Sequence, residues 1–196
     1  MEMTRQQTVT RLLEHCRDGN RKAVNELFEI LYEDLYKVAR SQRLGWKGNE
    51  TLNTTGLIHE AYLKLVDQTG AGGWKSKAHF LATASSAMRH ILINYARDSN
   101  RLKRGGNLER VSLQFMDFDR AGKFASSELQ IETLITLGDA LQQLDEMNPR
   151  LSQIIECRIF GGMTIEETAE ALEISPITVT RGWETARLWL NREMQR

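Results

Sequence analysis

A chain of 196 residues with 41% apolar content is long enough for one medium domain or two small ones and is too apolar for wholesale disorder. No apolar run approaches the ~18 residues of a membrane span, and MEMTRQQTVTRLLEHCRDGN has no signal-peptide core. The net charge of zero hides an uneven distribution: Trp74 to Arg110 carries eight Lys/Arg against two acids, and Ser126 to Glu173 carries two Arg against ten acids.

With two prolines and helical periodicity in most segments, the expected fold class is all-α. The pattern predicts two small helical domains, 1–103 and 127–196, joined by a flexible linker over 104–126, with a helix-turn-helix in the C-terminal one. Cys16 and Cys157 lie far apart and fit a reducing cytoplasm better than a disulfide framework.

In the first unit, Ala23, Leu27, Ile30, Leu31, Asp34, Leu35 and Val38 follow an i, i+3, i+4 pattern, with the one acid off-type, and predict one amphipathic helix, ended by SQRLGWKGNETLN. LNTTGLIHEAYLKL starts another. Its core face holds Leu57, Ile58, Ala61, Tyr62, Leu65 and Val66. His59, Glu60 and Lys64 lie outside it, beside Leu63, an out-of-phase apolar residue that suits a protein-docking face. The entrance of this helix, Thr54, Thr55 and Gly56, lacks the acid that a helix N-terminus favours. A plain Thr N-cap is one reading of it.

DQTGAGGWKSKA is a Gly-rich loop carrying Trp74, Lys75 and Lys77. An exposed Trp74 would stack on an unpaired base, whereas a Trp74 folded back belongs to the core. On a helical wheel of residues 79–97, Thr83, Ser86, Arg89, His90, Asn94 and Arg97 share one half with His79 and Ile93. That half has hydrogen-bonding and basic groups and no acid. It suits a nucleic-acid strand, with charge for phosphates and amide and imidazole for base edges.

RGGNLERVSLQFMDFDRAGKFAS has weak periodicity and reads as a tether. Beyond it, Leu134, Leu137, Leu141 and Leu144 mark an acidic amphipathic helix. Asn148–Pro149 turns into a helix through Ile154, Ile155 and Ile159, FGGM breaks that helix, and two short helices close the chain. Thr164 and Glu167 have capping-box spacing, and Ser175–Pro176 has the pattern of a cap followed by proline at the first helical position. Val179, Trp183, Ala186 and Leu190 face inward. Pro176, Ile177, Thr180, Arg181 and Glu184 fall at the start of the last helix or on its outer face. A helix-turn-helix would send that surface into a major groove; an ordinary αα-hairpin is the other reading.

No constellation points to catalysis. The four histidines form no metal-spaced set, His59–Glu60 is not followed by a second His at metalloprotease spacing, and no phosphate-binding glycine loop is present. No enzyme activity, catalytic residue, metal or other cofactor is expected.

LIHEAYLKL, FLATASSAMRHILINYARDSNRLKR and PRLSQIIECRIFGGMTIEETAEALEISPITVTRGWETARLWL together resemble an extracytoplasmic-function (ECF) sigma factor of the sigma-70 class. The resemblance implies a bacterial initiation factor that binds core RNA polymerase and promoter DNA. Residues 1–103 would then melt and hold the −10 element, with the loop from Trp74 to Lys77 cupping a flipped base and Thr83, Ser86, His90, Asn94 and Arg97 on the same surface. Pro176, Ile177, Thr180, Arg181 and Glu184 would read the −35 element. The linker would thread through polymerase, with Asp117 and Asp119 mimicking nucleic-acid charge.

Thr54, Thr55, His59, Glu60, Leu63 and Lys64 would dock on polymerase, where many family members begin the helix with an acidic cluster. This chain has none there. The sequence is similar to a subgroup linked to Ser/Thr protein kinases, and a phosphate on Thr55, or on Thr54, would restore the missing negative charge. An anti-sigma factor is the other expected regulator. Two rival readings stay open: a stand-alone helix-turn-helix regulator with an N-terminal partner-binding domain, and a sigma-like adaptor that binds polymerase without melting DNA.

Overall fold

The computed structural model describes residues 4–44, 52–67, 73–102 and 131–195, and every regular element among them is helical. The expected linker at 104–126, with Asp117 and Asp119, lies outside the described residues.

Helix α1 (Arg5–Arg17) opens with a capping box, in which the Gln7 N–H donates to Thr4 Oγ1 at 3.3 Å and the Thr4 N–H donates to Gln7 Oε1 at 2.9 Å. Asn20 caps α2 (Arg21–Ile30) by accepting from the N–H groups of Lys22 and Ala23. The single helix expected through Val38 is in fact two, because Leu31, with φ −96° and ψ 8°, separates α2 from α3 (Tyr32–Leu44). The Arg5 guanidinium donates to the Ile30 carbonyl at 2.8 Å, satisfying a backbone acceptor at this break. Leu27, Leu31 and Leu35 all remain fully buried, so the apolar period runs through the break undisturbed.

Helix α4 (Thr54–Asp67) is capped by Asn53, whose Oδ1 accepts from the Gly56 N–H at 2.7 Å. The Thr-cap reading is corrected: the cap lies one residue earlier, and both threonines stand in the first turn. Gly73 leads into the long central helix α5 (Lys77–Leu102). Its φ is +61°, and a Cβ there would approach the Arg17 backbone to 2.8 Å, so only glycine lets the chain pass α1 at this point. Phe80 forms the centre of the N-terminal core, with edge-on contacts to Phe28 at 5.2 Å and Trp74 at 4.9 Å.

The C-terminal helices are α6 (Ile131–Met147), α7 (Pro149–Ile155), a π-helical turn (Glu156–Phe160), α8 (Ile165–Leu172) and α9 (Pro176–Met194). The helix expected through Ile159 therefore changes to π geometry after Ile155. The last helix is not short; it runs for 19 residues. Leu137, Leu141, Leu144, Ile155, Phe160 and Leu190 form one core, and Ile154, Ala169 and Val179 form another between α7, α8 and α9. Helix α6, the π turn and α8 also pack against α5. Leu134 enters the N-terminal core, and Ala78 sits among Cys157, Met163 and Ala171.

Candidate nucleic-acid interface

Helix α9 is placed by its cap. The Thr178 N–H donates to Ser175 Oγ at 3.2 Å, Pro176 takes the first helical position, and Val179, Ala186 and Leu190 fix the buried side. Pro176, Ile177, Thr180, Arg181 and Glu184 are all exposed, with Ile177 at 65%. Thr180 donates its hydroxyl to the Pro176 carbonyl at 3.0 Å, leaving its methyl group and an oxygen lone pair at the surface. The turn before α9 is held by α8. Thr164 and Glu167 form the expected capping box, and Glu173 closes α8 in the left-handed region at φ 55°.

The surface of α5 is arranged otherwise than a free strand-binding face. Trp74 is only 6% exposed, so the packed alternative is the one the structure holds. Lys75 is exposed and pairs with Glu173, and Lys77 pairs with Asp34 at 2.9 Å. Thr83 donates to the His79 carbonyl at 2.8 Å and is half-buried, as is Ser86. Asn94 is exposed, and Arg97 donates to Asp139 of α6 at 2.7 Å.

Arg89 and Ile93, placed on the outer half by the helical wheel, are corrected to buried positions. Arg89 donates to Glu156 and lies 5.7 Å from the centre of the Phe160 ring. Ile93 meets α6 where Gly138 leaves room for it. The physical reason is that an uncovered α5 face would expose Ile93, while the acidic C-terminal helices bring carboxylates to its cations.

His90 is neutral in this setting. Its Nδ1–H donates to the Ser86 carbonyl at 2.8 Å, and Nε2 accepts from Arg89 at 3.1 Å. Burial, then the Arg89 charge, lowers its pKa. His79 is lowered by burial and by Lys75, and its Nδ1 accepts from the Lys75 N–H at 3.2 Å. Between α5 and the C-terminal helices lies a polar cleft of about 320 Å³, lined among others by Ser86, His90, Asn94, Arg97, Asp145 and Glu156.

On α4, Thr55, His59, Lys64 and Leu63 are exposed, the last at 52%, and Thr54 is half-buried. Glu60 is half-buried and accepts from the Tyr95 hydroxyl at 3.0 Å, which ties this helix to α5.

Sequence reasoning missed Glu156, Asp139, Glu173 and Gln42. Gln42 donates from Nε2 to the Ser85 carbonyl, to Ser85 Oγ and to the Phe160 carbonyl at 3.0–3.2 Å, joining α3, α5 and the π turn. The opposed charges of residues 74–110 and 126–173 were the available signal, since complementary segments attract.

The family model described as ECF sigma factor matches residues 6–196, nearly the whole chain. Comparison with curated proteins and with solved structures finds no match.

Proposed function

Because this chain belongs to the ECF sigma factor family, whose members serve transcription initiation and are not enzymes, we propose that it binds core RNA polymerase and directs it to promoters through −10 and −35 contacts. The observation that carries this reading is the exposed, capped start of α9, where Ile177, Thr180, Arg181 and Glu184 stand together on one surface. The helix-turn-helix of α8 and α9 reads the −35 element, with its second helix in the major groove. The face of α5 holds the melted −10 strand, and Lys75, Lys77, Ser86, His90, Asn94 and Arg97 are its polar contacts. Trp74 supports that site from the core unless it leaves Phe80. Residues 104–126 thread through polymerase, and the protein acts in the bacterial cytoplasm.

Polymerase docks on the outer face of α4, with Leu63 as its apolar centre and His59, Glu60 and Lys64 around it. Asn53 already caps this helix, so Thr55 is free for regulation by a Ser/Thr kinase, with Thr54 as the second acceptor. A phosphate there adds about −1.5 to −2 charge at the helix N-terminus, where negative charge is favoured. An anti-sigma factor is the alternative regulator.

The test of function is transcription in vitro with purified core polymerase and genomic DNA fragments. Promoter-specific initiation is expected. Failure to associate with core enzyme, in both the Thr55-phosphorylated and unmodified states, sinks the reading. A Thr55→Glu variant is expected to bind polymerase more tightly than Thr55→Ala, and equal binding by the two removes the switch.

A further inference from the structure

Three exposed side chains stand in one line at the start of α9. Ile177, Arg181 and Glu184 follow one another at i, i+4 and i+7, the spacing of a single helix face. Ile177, at 65%, is the most exposed large apolar side chain among the described residues. It belongs to none of the apolar clusters, although Ile174 and Val179 on either side of it pack into one. Arg181 and Glu184 carry opposite charges at a spacing that allows an ion pair, yet neither side chain is paired or hydrogen-bonded among the described residues. Thr180, beside them, uses its hydroxyl proton on the Pro176 carbonyl at 3.0 Å.

A helix rises about 1.5 Å per residue, so about 6 Å separates Ile177 from Arg181 along the axis and about 4.5 Å separates Arg181 from Glu184. Base pairs follow one another every ~3.4 Å, so the line covers about four adjacent pairs. In a major groove each of the three groups has a different match. A branched apolar chain takes the thymine methyl. An unpaired guanidinium takes guanine O6 and N7 together. A carboxylate accepts only and repels phosphate, which leaves it the cytosine amino group.

We propose that Ile177, Arg181 and Glu184 set the base preference of this chain: α9 selects a duplex site in which a thymine lies against Ile177 and, within the next pairs, a guanine lies against Arg181 and a cytosine against Glu184. A site of A·T pairs alone offers Arg181 no two acceptors side by side on one base. A site of G·C pairs alone sets Ile177 against polar base edges, which lose water and gain no partner. The inference rests on the proposed function in taking α9 as the helix that enters the groove, and it adds which bases are selected and through which atoms.

The experiment selects from random-sequence duplexes with the full chain, alone and bound to core polymerase, and then measures the selected duplex with single atoms changed, at fixed ionic strength. Uracil in place of the selected thymine removes only the methyl and is expected to weaken wild-type binding about three- to fourfold. In place of the selected guanine, 7-deazaguanine removes only the N7 acceptor and is expected to weaken it at least about fivefold. Ile177→Ala is expected to bind the thymine and uracil duplexes equally while keeping its preference for guanine. Arg181→Ala is expected to do the reverse, and Glu184→Ala to accept any base in place of the selected cytosine. All three side chains are exposed, and unchanged urea midpoints check that the variants fold. Equal wild-type affinity for thymine and uracil duplexes, a difference that survives Ile177→Ala, or a selection that enriches no sequence overturns the proposal. Promoter-specific initiation that is indifferent to both base analogues in the −35 element retains the sigma function and overturns the base assignment. Base discrimination lost in the variants as described, without initiation by core polymerase, supports the assignment and counts against the sigma function alone.

Discussion

Arg89 and Glu156 meet almost out of water, with 6% and 17% of their side chains exposed. Removing one partner of such a pair leaves a buried charge alone, at a cost of about 3–5 kcal/mol. Glu156→Leu is therefore expected to lower the urea midpoint strongly, while Arg89→Met with Glu156→Leu recovers most of the loss. A double variant as unstable as the single one contradicts this account.

The neutral histidines add a pH dependence. His79 faces Lys75 and Glu173, and His90 faces Arg89, Glu156 and Lys64. Both have lowered folded-state pKa values, so below about pH 6.5 the unfolded chain binds more protons and stability falls as pH drops. Glu173, held low by its bond to Lys75, titrates below that window. Urea midpoints measured between about pH 7.5 and 5.5 are expected to fall with acid, and the slope is expected to flatten in His79→Gln/His90→Gln. Burial raises the thiols of Cys16 and Cys157 to about 11 and about 12, which leaves both protonated and poorly nucleophilic at neutral pH while they stay buried.

At the scale of single elements, the caps were readable and the breaks were not. Thr164, Glu167 and Ser175 act through neighbours three residues away and Pro176 through its own fixed φ at the first helical position, so their spacing in the sequence carried the geometry. Thr164→Ala is expected to cost about 1 kcal/mol, measured by urea unfolding. The separation of α2 from α3 at Leu31 was invisible, because Leu27, Leu31 and Leu35 keep one period on both sides of it. The π turn was hidden for a similar reason: its apolar residues continue the run from Ile154, and only the contacts of Glu156 and Phe160 with α5 and α3 distinguish it. Arg158 steadies the turn that follows, donating to the Met163 carbonyl and lying 5.5 Å from the Trp183 ring centre. Helix α9 comes so close to α7 that a Cβ on Gly182 would reach Ile154 Cδ1 at 2.5 Å. Gly182→Leu is expected to destabilise the C-terminal core by about 1–3 kcal/mol through overpacking, again read in urea.

For the molecule as a whole, compactness has a measurable size. A compact chain of this length has a radius of gyration of about 16 Å, and wild type is expected to scatter near that value at low concentration. The all-α class, the capped helices α8 and α9, the polar surface of α9 and the buried stripe of α4 were legible in the sequence. Each depends on residues within a turn or two of one another, where helical spacing fixes direction. A wheel drawn for one helix could not show what covers its other side. The burial of Arg89 and Ile93, the retreat of Trp74 onto Phe80 and the pairing of the basic face with Glu156, Asp139 and Glu173 were decided only in the tertiary structure. Charge and apolar contact act between residues tens of positions apart in the chain, and their partners are chosen by packing, not by local spacing.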